Sequence, residues 1–163
     1  MRNFLFFILT ALVVLSCKTS PPNVPAVNVI EPVFDVSSIY IIQADIVVTE
    51  FEAVIKIDNP NTFPVELSSI VYELFGNNIF WAGNTANDIL VIPALSSGET
   101  RFKFTMNFID TNRRLLDDVI AMRRVNYRFR GTAQMRSMTA GNITPFSVNF
   151  DCSGLSEVKR TSN

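Results

Sequence analysis

Residues 51–61 read Phe51-Glu52-Ala53-Val54-Ile55-Lys56-Ile57-Asp58-Asn59-Pro60-Asn61. Phe51, Ala53, Ile55 and Ile57 alternate with Glu52, Val54, Lys56 and Asp58, and a period of two is the signature of a half-buried strand. Pro60 has no N–H to give a sheet ladder, and the asparagines on either side of it favour a turn. A strand that runs straight into such a turn sets the pattern for the chain.

The same period recurs downstream. Phe102, Phe104, Met106 and Phe108 alternate with Arg101, Lys103, Thr105 and Asn107; Ile70, Tyr72 and Leu74 alternate ahead of a Gly76-Asn77-Asn78 turn; Asp88 to Ile92 forms a further strand ending at Pro93. Tyr127, Phe129, Gly131, Ala133 and Met135 point one way and Arg128, Arg130, Thr132, Gln134 and Arg136 the other, followed by Phe146, Val148 and Phe150. With turns at Ser97-Gly98 and Gly141-Asn142, the spacing predicts an all-β sandwich. One segment breaks the period. Capped by Asp110 or Thr111, it places Leu115, Leu116, Val119, Ile120 and Met122 on one helical face, which predicts an α-helix inserted over about 111–124.

The 163 residues carry a net charge of −1, two cysteines and no histidine. Without histidine the usual general base near neutral pH, the commonest metal ligand and the triad partner are all missing. No Gly-rich phosphate loop follows a strand and no Gly-x-Ser-x-Gly occurs, so no catalytic residues are assigned and no enzyme is expected.

The first residues are of a different kind. Arg2 precedes an apolar run from Phe4 to Leu15, about 18 Å long as a helix and too short for a ~30 Å hydrocarbon core, which fits a signal-peptide core. The run ends in Val14-Leu15-Ser16-Cys17, which resembles the lipobox of bacterial lipoproteins. That resemblance implies removal of residues 1–16 and acylation of Cys17, an anchor of two or three chains. Residues 17–29 then form the lipidated cysteine and a Pro-rich tether, the folded domain covers 30–152, and 153–163 is expected to be a polar, frayed tail. Once Cys17 is acylated only Cys152 remains; it keeps the parity of Phe146, Val148 and Phe150 and is read as a core thiol.

Asp58-Asn59-Pro60-Asn61 followed by Phe63-Pro64, then Leu67, Ile70 and Tyr72, Gly76, Gly83, Ile92-Pro93-Ala94 before Gly98, and later Tyr127 and Gly131, is similar to the type 2 late embryogenesis abundant proteins, whose domain is also called the water stress and hypersensitive response domain. The similarity runs from about Val33 to Phe150. It implies a seven-stranded immunoglobulin- or fibronectin-III-like β-sandwich, with Asn59, Pro60, Asn61, Pro64, Tyr72, Ile92, Pro93, Gly98 and Gly131 as structural motif residues. It brings no cofactor and no catalytic residue, and implies protection of macromolecules or membranes under desiccation or osmotic stress.

Charge is divided along the chain. Residues 17–100 hold two basic side chains against ten acidic ones, while residues 101–136 hold nine basic against three acidic. Arg101, Lys103, Arg128, Arg130 and Arg136 all have outward parity, so if their strands adjoin they make one basic face for anionic lipid, an envelope polymer or an acidic protein. If the two halves interleave, the same charges pair across strands as a solvated surface. Nucleic acid is not an expected partner of an envelope protein. Asp58, Asn59, Asn61 and Thr62 offer oxygens in one turn, but fewer acidic groups than a calcium loop needs, and an Asx turn fixed by Pro60 accounts for them. Of adjacent Phe80 and Trp81, one must face away from the core. The reading is a non-enzymatic lipoprotein of the cell envelope, in the outer membrane where there is one, since Lys18 is not the Asp associated with inner-membrane retention. The alternative is a binding or scaffolding module in an envelope assembly; its oligomeric state is left open.

Overall fold

The computed structural model describes residues 28–44, 47–87, 89–107, 121, 124–139 and 141–160. Among these there are eight strands and no helix: β1 (Val33–Ala44), β2 (Val48–Asn59), β3 (Val65–Gly76), β4 (Ile79–Ala86), β5 (Leu90–Ile92), β6 (Ser96–Asn107), β7 (Arg124–Thr139) and β8 (Asn142–Arg160). The signal segment, Cys17 and most of the tether lie outside the described residues, as does the helix expected over 111–124, except that Ala121 is a turn residue and Arg124 already opens β7.

The strands run in the order β4-β3-β7-β8-β1-β2-β6, with β5 also on β3. Neighbours are antiparallel apart from β1 and β8, whose residues Ile39–Ile41 and Val158–Arg160 pair in parallel. Asn77 and Asn78 close the β3–β4 hairpin at φ of 50° and 64°, the left-handed pair that a tight two-residue turn requires.

The sheet is all-β as expected, but it is not a seven-stranded sandwich of two separate sheets. It is one curled sheet, a half-barrel, whose two wings face each other across a core. Aromatic rings make the crossing: Tyr72 of β3 stacks on Phe102 of β6 at 4.5 Å, and Phe51 of β2 lies 6.0 Å from Trp81 of β4. Phe34 on Phe150 at 4.5 Å continues the packing at the bend. The wings join because β8 is 19 residues long: it pairs with β7 through Glu157 and passes to β1 with its last residues. The frayed tail expected over 153–163 is therefore, through Arg160, the strand that closes the sheet. Ser156 and Val158 of that stretch are buried.

Alternation places the side chains as the sequence implies. Val125, Tyr127, Phe129, Ala133 and Met135 of β7 are buried, and Arg124, Arg128, Arg130 and Arg136 are exposed. Fully burying each large apolar side chain stabilises the fold by about 1.5–3 kcal/mol relative to leaving it in water.

Candidate functional site

The Asn-Pro-Asn turn is a clasp. Asn59 and Asn61 are each only 2% exposed at the end of β2. The Asn59 side-chain amide donates to the carbonyls of Phe63 (2.9 Å), Pro93 (2.9 Å) and Ile92 (3.3 Å). Its Oδ1 accepts the N–H of Asn61 at 3.0 Å and the Asn61 side-chain amide at 2.9 Å. Asn61 then holds the incoming chain, accepting from the Ile30 N–H and donating to the Ile30 carbonyl, both at 2.8 Å. Leu95 N–H donates to the Asn61 carbonyl at 2.9 Å. With these amides committed to main-chain carbonyls and to each other, the turn ties the end of β2 to the Ile92-Pro93 segment and to the entering chain. No group of three or more acidic, cysteine or histidine side chains is placed to hold a metal among the described residues.

The Pro64 carbonyl accepts from Met138 N–H at 2.9 Å. Ile92 is buried, and a Cβ on Gly98 would come within 3.0 Å of it. Burial of Tyr72 raises its hydroxyl pKa. Gly131 faces Tyr72 in the register so closely that a Cβ there would lie 2.0 Å from the Val71 carbonyl oxygen.

The five cations do not form a single face. Phe102 and Phe129 meet across the core at 6.4 Å, so their outward neighbours, Arg101 and Lys103 on β6 and Arg128 and Arg130 on β7, point away from each other on opposite wings. Arg136 lies further along β7. Four of the five meet carboxylates on adjacent strands: Arg101 with Glu52 (2.8 Å), Arg128 with Asp151 (2.6 Å), Arg130 with Glu73 (2.6 Å) and Arg136 with Glu66 (3.4 Å). The acidic and basic stretches of the chain are interleaved by strand pairing. Arg130 also lies 5.0 Å over the ring of Phe75.

Trp81 is the inward member of the aromatic pair; Phe80 is outward, 56% exposed, with its edge against Phe75. Tyr127 donates its hydroxyl to Asp35, and burial followed by that bond raises its pKa. Cys152 packs half-buried against the core and donates to the Phe129 carbonyl at 3.4 Å. Burial first, then the charges of Asp35 and Asp151, push its thiol up to about 11, which makes it a poor nucleophile.

The end of the half-barrel that carries the clasp also carries exposed apolar side chains: Leu95 (70% exposed) in the β5–β6 turn, Ile143 (63%) after the β7–β8 turn, and Ile30 and Val33 where the chain enters. Val33, Pro60 and Leu95 line one depression of about 270 Å³, while Pro64 and Ile143 line the next. Leu95 stands at φ 50°, where an L side chain costs roughly 1–2 kcal/mol. A signal was available, since both Leu95 and Ile143 are large apolar residues set among turn residues.

A family model described as late embryogenesis abundant protein matches residues 54–153. No curated protein matches the chain. Among solved structures, a protein from Arabidopsis thaliana determined in solution is similar at a TM-score of 0.52 and 10% identity, covering 80% of this chain and 83% of that one. A protein from Bordetella pertussis follows at 0.49 and 12%, covering 78% and 94%, and one from Archaeoglobus fulgidus at 0.38 and 13%, covering 76% and 98%. At such identities the likeness concerns the fold, and it is the first of the three that bears on it.

Proposed function

This chain belongs to the type 2 late embryogenesis abundant family, and on that premise we propose that it is a non-enzymatic lipoprotein that protects envelope components when water is withdrawn. Family membership carries the reading. The anchor is Cys17, whose setting behind Val14-Leu15-Ser16 is that of an acylated cysteine. The absence of histidine from the whole sequence supports a role without catalysis.

The surface suits that role. Several polar groups on the outer faces are partnered within the molecule: Arg101 with Glu52, Arg128 with Asp151, Thr132 with Asn149 at 2.8 Å, and Ser147 with Gln134 at 2.8 Å. Side chains that already have partners lose less when hydration falls, and the attraction within an ion pair grows as the surrounding dielectric drops.

A strain lacking the protein, tested through drying and osmotic shock, is expected to survive less well than its parent, with recovery on restoring the native chain. Cys17→Ala is expected to move the protein from the detergent phase to the aqueous phase. Normal survival of the deletion strain, together with a discrete crosslinked protein partner, would replace protection with a binding or scaffolding role in an envelope assembly.

A further inference from the structure

We propose that the clasp end of the half-barrel, carrying Ile30, Val33, Leu95 and Ile143, seats on the lipid bilayer and holds the domain upright on it. The inference rests on the Cys17 anchor proposed above and adds to it a second, non-covalent contact.

The tether leads into Ile30, which is bonded to Asn61 in both directions, so the end nearest the anchor is fixed by the clasp. Residues 18–29 reach ~37 Å at about 3.1 Å per residue in a polyproline conformation. Asn126, at the opposite end of β7, lies eleven residues from Ser137, which is ~36 Å along a strand. The far end therefore meets the bilayer only with the tether drawn out to about its whole polyproline length, while the clasp end meets it with the tether slack.

Four large apolar side chains are exposed at the clasp end, Leu95 in a turn and Ile143 just after one, where polar residues are the rule; Ile42, Val47, Val48 and Leu155 are exposed at the other end, so the point of entry of the chain decides which end faces the bilayer. Leu95 is held in a left-handed conformation that glycine or asparagine would adopt more easily. Protruding apolar side chains of this kind sink into the boundary between headgroups and acyl chains. Nearby charge does not supply an alternative attraction: Asp58 is tied to Lys56 at 2.8 Å and to Ser97, and Glu31 is acidic. The contact is apolar, and its strength should not depend on salt.

The test uses the full, acylated chain reconstituted into phosphatidylethanolamine and phosphatidylglycerol vesicles containing brominated acyl chains. Leu95→Trp and Ile143→Trp each place a reporter at the clasp end. Leu155→Trp places one at the opposite end, at a site 63% exposed. Trp81 is buried and gives a constant background. Several-fold stronger quenching at positions 95 and 143 than at 155, unchanged in high salt, is the expected result, and two reporters keep it readable should one variant misfold. Equal quenching at the two ends, or none, in chains that still float with the vesicles overturns the docking while leaving the anchor intact. A native chain that does not float overturns the anchor and the docking with it. Photocrosslinking from position 95 to a protein in intact cells, without lipid quenching, also overturns it.

Discussion

The side-chain oxygen of Asn59 accepts both the main-chain N–H of Asn61, at 3.0 Å, and its side-chain amide, at 2.9 Å. The two residues act as one unit that joins the end of β2 to the Ile92-Pro93 main chain on one side and to the entering chain at Ile30 on the other. Asn59→Ala leaves the carbonyls of Phe63, Ile92 and Pro93 and the amide of Asn61 without this partner; the bonds to Phe63 and Pro93 are part-buried and open to water, and the two buried groups cost about 1–3 kcal/mol each when unpaired. A loss of about 3 kcal/mol in unfolding free energy is expected in urea titration, with an unchanged slope. Asn59→Asp should behave worse near neutral pH, since its carboxylate would face carbonyl oxygens. Protonation relieves that repulsion, so the folded-state pKa of the new carboxyl is raised and the variant should recover stability as pH falls.

Gly131 and Gly141 require glycine for different reasons. At Gly131 a Cβ would fall 2.0 Å from the Val71 carbonyl oxygen and 2.9 Å from the Tyr72 Cα, so the β3–β7 backbones must separate to admit it. Gly131→Ala is expected to cost about 3 kcal/mol, at the upper end of overpacking penalties. Gly141 has φ +82° and open space around it, so Gly141→Ala is expected to cost only ~1–2 kcal/mol from its backbone angle. Denaturant midpoints of the two variants decide the order; equal effects would mean that the β3–β7 contact yields.

Alternation made individual strands legible, and pairing between distant strands was not. The inward set Tyr127, Phe129, Ala133 and Met135 could be read from period alone, because each residue's face depends only on its neighbours in sequence. Which carboxylate Arg130 or Arg136 meets depends on β3, 57 and 70 residues away, and no local pattern encodes it. The closing half of β8 was missed for a local reason. Its inward positions are Gly154, Ser156 and Val158, and small residues there resemble a loop; Gly154 is small because the Tyr127 ring occupies the space a Cβ would take. The clasp asparagines were recognisable as a turn motif, whereas the lipid-facing role assigned to Leu95 and Ile143 emerges only when separate turns are brought to one end.

Acid should weaken the fold through its surface pairs. The hydrogen bond from Lys56, then that from Ser97, lowers the Asp58 pKa, and the hydrogen bond from Arg128 lowers that of Asp151. A folded-state pKa below the unfolded value gives stability that is present above about pH 4 and is lost as pH falls through the folded value. Both pairs sit in water, so the loss should be shallow and should fade with added salt. Thermal midpoints measured from neutral to acidic pH are expected to decline less steeply in Asp58→Asn and Asp151→Asn; an unchanged acid slope in both variants would assign it to other carboxylates.

The decisive test of the continuous half-barrel is removal of its last strand segment. If residues beyond Leu155 were a frayed tail, ending the chain there would leave stability unchanged. In the curled sheet the same truncation removes the parallel pairing of Val158–Arg160 with Ile39–Ile41 and deletes Val158, which is buried between the wings. Burial of a valine alone accounts for about 1.5–3 kcal/mol, and the edge of β1 would be left open to water along those residues. The truncated chain is therefore expected to unfold at clearly lower denaturant, with faster amide exchange along Ile39–Ile41. Val158→Ala separates the contributions. It keeps the backbone pairing and removes only packing, so it should recover most of the exchange protection while still losing about 1–2 kcal/mol. A truncation that changes neither midpoint nor exchange would return β8 to a strand ending at Leu155 and reopen the sheet between β8 and β1.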